Sequence, residues 1–225
     1  MKNKNTPWTG VAILIAFVLM AVALYGALVF SPEEKQLGNT IRILYVHVPS
    51  AWIALVAFGI VSLCSVLFLW KRNLKWDTLA RSSAEVGLVF TSLALISGSI
   101  WARSFWGWWW TWDPRLTSTL ILWLIYLAYL MVRSYATEES RGARYAAVVA
   151  IIGFVDVPII YLTTRLWNLA HPPPTVARGA LDPIFVWVLM VSLAAFTLLY
   201  IILLTRTVEQ KNLRREIDQL RQSLK

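Results

Sequence analysis

The chain has 225 residues, of which 58% are hydrophobic and 15% charged, and its formal net charge is +9. Soluble domains carry roughly 25% charged residues, so this composition excludes an ordinary water-soluble protein and predicts a membrane protein. In that class the excess of Lys and Arg indicates basic cytoplasmic loops, and it does not indicate a surface for nucleic acid.

Six apolar runs are long enough to cross a bilayer, which takes about 20 helical residues. In chain order they cover residues 8–30, 50–70, 84–102, 116–132, 145–164 and 183–205. The first run follows Lys2 and Lys4 as a signal peptide would, but it spans about 22 residues and no clear A-x-A cleavage site follows, so we expect a retained helix. The sequence therefore predicts an all-α polytopic membrane protein with six transmembrane helices.

The basic residues predict the orientation of these helices. With both termini in the cytoplasm, 15 of the 21 Lys and Arg residues fall on the inner side, in the N-terminus, two connections and the C-terminal tail. Because basic residues are enriched in cytoplasmic loops, we expect an N-in, C-in topology. Residues 1–205 then form the membrane domain. Residues 206–225 form a short amphipathic cytoplasmic helix, which would lie on lipid headgroups or contact a partner subunit.

This topology places three connections outside, at about residues 31–49, 103–115 and 165–182. The chain contains two histidines; His47 falls in the first of these connections and His171 in the third. The second, within a tryptophan-rich loop at residues 103–117, holds five tryptophans within seven residues: Trp106, Trp108, Trp109, Trp110 and Trp112. Both histidines and the tryptophans are therefore predicted on one side of the membrane.

The tryptophans and histidines together favour a site for a large, flat, apolar ligand. An interfacial aromatic belt explains one or two tryptophans at a helix end but not five in one short loop, which would form a broad aromatic surface. Neutral imidazole is a common metal ligand, and haem iron accepts one on each face, so we expect His47 and His171 to be metal ligands. The alternative for each histidine is a structural role.

The outer arginines can bind the two propionates of haem, because a guanidinium binds a carboxylate bidentately. The candidates are Arg42, Arg103, Arg115 and Arg178, and anchoring at lipid headgroups is the alternative for each. We expect Asp113 to orient the tryptophan-rich loop by pairing with Arg115 or by accepting backbone N–H groups. Asp156, two residues before Pro158 in the fifth span, is expected to pair with a polar group of a neighbouring helix.

The chain has no C-x-x-C-H motif for haem attachment, and its single cysteine, Cys64, lies in an apolar run, so the chain is not itself a c-type cytochrome. The segment from Trp106 to Thr117, WGWWWTWDPRLT, resembles the "WWD" signature of haem-handling membrane proteins. Among these families the chain most resembles CcmC, the haem exporter protein C family of cytochrome c maturation. The segments RILYVHVP around His47 and WNLAH before Pro172 are similar to that family's two histidine segments.

The resemblance implies a subunit of an export complex, and not an enzyme, in the inner membrane of a bacterium. Such proteins bind haem b non-covalently and transiently at the periplasmic face, between two axial histidines, and pass it to a periplasmic haem chaperone. Their partners are an ABC-type ATPase with its membrane subunit and a small single-span membrane protein. The chain lacks a G-x-x-x-x-G-K-[ST] loop, so ATP hydrolysis would come from a partner. The alternative is a cytochrome b-type membrane subunit of an oxidoreductase, which would bury its histidines within the spans.

Overall fold

The computed structural model describes residues 7–35, 37–136, 138–166 and 182–224. These residues form helices α1 (Pro7–Tyr25, extended by a π-helical turn at Gly26–Phe30), α2 (Ile41–Lys71), α3 (Leu74–Trp106), α4 (Pro114–Tyr135), α5 (Glu139–Phe154), α6 (Asp156–Leu166) and α7 (Pro183–Ser223). Six helical segments in this part of the chain are long and apolar enough to cross a membrane, with α5 and α6 together forming the fifth. The predicted all-α membrane fold with six spans is confirmed.

Helix α2 begins earlier than the sequence predicts. It starts at Ile41 and contains Pro49, whereas the predicted second span starts at residue 50. The expectation that His47 lies in a connection is therefore wrong, because His47 lies in the second turn of α2. Proline is a poor residue for a helix interior in water, but membrane helices tolerate it where neighbouring groups satisfy the freed backbone.

The tryptophan-rich loop is shorter than predicted. Helix α3 continues through Trp106 and ends at Gly107, whose φ of 85° is a left-handed conformation that favours glycine. Helix α4 begins at Pro114, so the connection comprises residues 107–113. Arg103 and Trp106 thus belong to the last turn of α3, and Arg115 belongs to the first turn of α4.

The C-terminal tail is not a separate short helix, which corrects the prediction for residues 206–225. Helix α7 runs without interruption for 41 residues from Pro183 to Ser223. Residues 184–225 include neither Gly nor Pro. The sequence therefore has no helix-breaking residue at the point where α7 leaves the apolar run.

Helices α2 and α3 form the centre of the bundle, joined by a short connection in which Arg72 adopts a left-handed conformation. Their backbones approach closely at Gly87, where a Cβ atom would lie 2.7 Å from the Cβ of Ala57. Small residues at such crossings are typical of membrane bundles, because packing replaces the hydrophobic effect between helices in lipid. Helix α2 also packs against α4, where the rings of Phe58 on α2 and Tyr126 on α4 stack with centroids 3.8 Å apart.

The fifth span is broken at Val155, between α5 and α6. Pro158 follows the break and cannot donate a backbone hydrogen bond to the preceding turn. Asp156 starts α6, and its Oδ2 atom is buried without a hydrogen-bond partner among the described residues. The predicted pairing of Asp156 with a neighbouring helix is therefore not found in this part of the chain.

Candidate functional site

A cavity opens at the end of the bundle that carries the tryptophan-rich loop, which we call the His47 end. It lies between α2, α3, α4 and α6, and its empty volume, including the open mouth, is about 1010 Å³. Its lining is mostly apolar, with a few polar groups, as in typical small-molecule sites. The lining includes His47, Trp101, Trp106, Trp108, Arg115 and, deeper in the bundle, Leu122 and Ile160.

His47 is held in a defined orientation by α3. Its Nδ1 atom lies 3.1 Å from the carbonyl oxygen of Ala94 and 3.2 Å from the hydroxyl of Ser97. A carbonyl can only accept, so Nδ1 carries the proton and donates to Ala94. In this neutral tautomer Nε2 has the lone pair, which is the arrangement found in histidines that bind metals through Nε2.

Gly98 provides the space that the imidazole occupies. A Cβ atom at position 98 would lie 3.0 Å from Cε1 of His47 and 3.4 Å from Nδ1. Even an added methyl group would therefore require the imidazole to shift by a few tenths of an ångström.

A row of aromatic rings extends from His47 toward the loop. The ring centroid of Trp101 lies 5.9 Å from that of His47, and the ring of Trp106 follows at 6.2 Å from Trp101. Trp101 is buried, and both tryptophans line the cavity together with Trp108, which is 62% exposed. Aromatic side chains at such distances offer a continuous apolar surface with polar ring edges.

The other tryptophans of the loop lie outside this row. Trp109 and Trp112 are mostly exposed, and Trp110 packs edge-on against Trp112 with centroids 5.8 Å apart. None of these three belongs to the cavity lining formed by the described residues. The guanidinium of Arg103 lies 5.9 Å from the ring centre of Trp109, a cation–π contact.

Asp113 fixes the end of the loop by capping α4. Its Oδ1 accepts backbone N–H groups of Arg115 at 2.9 Å and Leu116 at 3.0 Å, and its Oδ2 accepts the hydroxyl of Thr111 at 3.0 Å. The prediction that Asp113 orients the loop by accepting backbone N–H groups agrees with this geometry. Because Pro114 follows at the first helical position, the loop-to-helix junction is pre-formed.

The predicted arginines have different surroundings. Arg115 lines the cavity together with Asp113. Arg103 donates a hydrogen bond to the carbonyl of Gly107 and so stabilises the start of the loop. Arg42 donates through Nη1 to the carbonyl of Leu28 at 2.7 Å, which ties α2 to the π-helical turn after α1. Among these three arginines, the structure places Arg115 alone in the cavity lining.

Known proteins match the chain over nearly all its length. A family model with the description "Heme exporter protein C" (CcmC) matches residues 1–223. Heme exporter protein C of Bradyrhizobium diazoefficiens is 38% identical over 218 residues, which cover 95% of this chain and 81% of the relative. The chain belongs to the haem exporter protein C family.

Further relatives of the family are more distant. Heme exporter protein C of Escherichia coli K12 is 33% identical over 178 residues, covering 79% of this chain and 71% of the relative. A putative cytochrome c biosynthesis ccmC-like mitochondrial protein of Marchantia polymorpha is 34% identical over 87% of this chain and 86% of the relative. The relatives of the chain therefore include bacterial proteins and a putative mitochondrial protein.

In this member of the haem exporter protein C family, the structure brings together His47, Trp106, Trp108, Asp113 and Arg115 of the predicted site residues. His171 and Arg178 lie outside the described residues, so their predicted roles stay predictions. Sequence reasoning missed a further set of residues, which all lie on α3: Ala94, Ser97, Gly98 and Trp101. Their signal in the sequence is their spacing of three to four residues, which puts them on one face of a helix.

Proposed function

We propose that the chain binds haem b non-covalently in the cavity at the His47 end, at the outer face of the inner membrane, and delivers it to a periplasmic haem chaperone for cytochrome c assembly. The observation that carries this proposal is the placement of His47. Its Nδ1 donates to the carbonyl of Ala94, while the ring lines an apolar cavity together with Trp101 and Trp106. A haem-handling role is also what the names of its relatives express.

The residues at the cavity suit haem in three respects. His47 offers an Nε2 lone pair to the iron, and we assign His171 as the second axial ligand. The aromatic row offers an apolar surface to the porphyrin. Arg115 offers a guanidinium for a propionate, and Arg42, Arg103 and Arg178 remain candidates for propionate contacts outside the described cavity lining.

The surroundings of His47 suggest which bond is exchanged during delivery. His47 lies on a helix and is fixed through Nδ1, so it would keep the haem in place. We therefore assign the exchangeable bond to His171, and breaking that bond would open one face of the iron to the chaperone. This replaces the expectation that both ligands lie in connections, which is wrong for His47.

The chain would act as one subunit of a larger assembly in the inner membrane. We propose an ABC-type ATPase with its membrane subunit, and a small single-span membrane protein, as its partners in the lipid bilayer. The role is binding and transfer of haem, without catalysis and without nucleic acid. The sequence has no phosphate-binding loop of its own, so energy from ATP would enter through the ATPase.

Haem transfer distinguishes this role from that of a cytochrome b-type subunit. His47 lies in a span, as in that class, so its position does not separate the two roles. Mixing the haem-loaded protein with the haem-free chaperone should move haem to the chaperone. His47→Ala should block this transfer, because it removes the ligand that keeps the haem in place. A resident cytochrome would keep its haem under the same conditions, and that result would overturn the proposal.

A further inference from the structure

The tail of α7 carries an exposed apolar stripe beyond the predicted membrane span. Leu213, Ile217, Leu220 and Leu224 are 51%, 42%, 64% and 87% exposed. They follow one another at intervals of four, three and four residues, which is the spacing of a coiled-coil seam and places them on one face of the helix.

The opposite face of the tail is fixed to the bundle by ion pairs. The Nζ of Lys211 lies 2.6 Å from a carboxylate oxygen of Glu85 on α3, and Nη2 of Arg215 lies 2.9 Å from Glu139 at the start of α5. Arg215 also donates to the hydroxyl of Thr78 at 3.1 Å. These contacts set the rotation of the helix, so the apolar stripe faces away from its own bundle.

The direction of the tail does not suit a helix lying on the membrane surface. Interfacial helices lie in the plane of the membrane, with their apolar face turned toward the lipid. The tail instead continues a membrane-spanning helix and is held along the first part of α3 by Lys211 and Arg215. Its stripe therefore runs along the bundle axis, and a second helix with the same direction can cover it.

We propose that the stripe is the seam of a parallel two-stranded coiled coil with α7 of a second copy of this chain. In heptad terms Ile217 and Leu224 occupy a positions, and Leu213 and Leu220 occupy d positions. Ile217 at a, with Leu213 and Leu220 at the neighbouring d positions, matches the combination of Ile at a and Leu at d that favours parallel dimers. Copies inserted in a membrane with the same topology also present their tails in parallel without any further requirement.

The charges beside the stripe are complementary to a second copy. Glu209 and Glu216 occupy g positions, and Arg214 and Arg221 occupy the e positions five residues later. In a parallel dimer each g residue meets the e residue of the partner in the next heptad, so every such contact joins Glu to Arg. Glu209 also pairs with Arg206 of its own chain at 3.0 Å, a contact that leaves Glu216 and Arg221 as the better test pair.

The seam spans about two heptads, and its weak intrinsic association is offset because both copies are held in one membrane. A coiled coil of two heptads is too short to associate strongly between free peptides. Here the helix is already formed as part of α7, and confinement in one bilayer raises the effective concentration of the partner. Gln210 occupies the a position before the stripe, where a polar residue can fix the register by pairing with its counterpart.

Cysteine cross-linking of the full-length protein in native membranes tests the proposal. Cys64 is first replaced by Ala, and then Leu220→Cys on the seam is compared with Gln222→Cys on the opposite face under mild oxidation. We expect a disulfide-linked product of twice the chain mass of 25.6 kDa from Leu220→Cys, and several-fold less of it from Gln222→Cys.

Charge reversal provides the second arm of the test in the Leu220→Cys background. Glu216→Arg should lower the cross-linked fraction several-fold, and adding Arg221→Glu should restore it. The proposal is overturned if both cysteines react equally, if Leu220→Cys gives no dimer or joins a protein of another mass, or if charge reversal has no effect.

Discussion

The two ends of the bundle are stabilised in different ways. At the end that holds the chain's C-terminus, which we call the tail end, charged side chains pair across helices; Asp77 and Arg133 are buried there at 2.8 Å. All ion pairs that join two described side chains lie at this tail end. At the His47 end, backbone caps and aromatic contacts hold the helices, and the cavity lies between them.

This difference assigns folding stability mainly to the tail end and ligand binding mainly to the His47 end. Buried ion pairs fix a helix arrangement because losing one partner leaves an uncompensated charge. An end whose described residues are held by helix caps and ring contacts can keep an open apolar cavity between its helices. We therefore expect changes at the tail end to affect folding, and changes at the His47 end to affect haem binding.

The orientation of the two ends gives an all-or-none prediction. The distribution of basic residues predicts that the tail end is cytoplasmic and the His47 end periplasmic. Reporter fusions after Lys225 should therefore be active only on the cytoplasmic side, and fusions within residues 172–179 only on the periplasmic side. The reverse pattern would place the cavity on the wrong side for a periplasmic chaperone.

The largest expected loss of stability comes from breaking the buried pair at the tail end. Asp77→Leu removes the bidentate partner of buried Arg133, which keeps Glu139 at 3.3 Å. The loss of folding stability should therefore lie at the low end of the range for broken buried pairs, at about 3 kcal/mol. Thermal unfolding of the purified protein measures this loss, and the double variant Asp77→Leu with Arg133→Met should recover most of it. The folded fraction of Asp77→Leu should bind haem as the wild type does. If it binds poorly while folded, the two ends are not separable.

The tryptophans that line the cavity should contribute more to haem retention than the exposed tryptophans of the loop. Replacing Trp106 and Trp108 together by Ala should abolish haem retention, because both line the cavity. Replacing Trp109 and Trp112 should weaken it modestly, since ring contacts are worth roughly 0.5–1.5 kcal/mol each beyond burial. Trp70→Ala, at an exposed position on the tail end of α2, is the matched control. If the variant that lacks Trp106 and Trp108 keeps haem at the wild-type level, the tryptophans form only a membrane belt.

A smaller effect is expected from Gly98→Ala. The added methyl group would meet the imidazole of His47 at 3.0 Å, so the ring must shift by a few tenths of an ångström. Such overpacking typically costs about 1–3 kcal/mol, and we expect weaker haem binding with little loss of fold. Gly10→Ala is the control, because its methyl group would meet no atom within 4 Å. Unchanged haem affinity in Gly98→Ala would show that the position of the His47 ring is not critical.

The sequence predicted what depends on local pattern and missed what depends on packing. Apolar runs revealed the six spans, and Asp113 before Pro114 revealed a helix cap. The start of α2 was missed because Pro49 suggests a boundary, while tertiary contacts in the bundle allow the helix to continue through it. Trp101 and Gly98 were missed because they gain their roles only when α3 packs against His47.

The most direct test of haem binding at the His47 end is the absorption spectrum of purified His47→Ala, with and without added imidazole. Two axial imidazoles give low-spin, six-coordinate iron, so the wild type should show that spectrum. The variant should hold haem weakly or as a five-coordinate species, and imidazole should partly restore the six-coordinate spectrum by filling the space of the lost ring. A wild-type low-spin spectrum from His47→Ala without imidazole would contradict the assignment of His47 as an axial ligand.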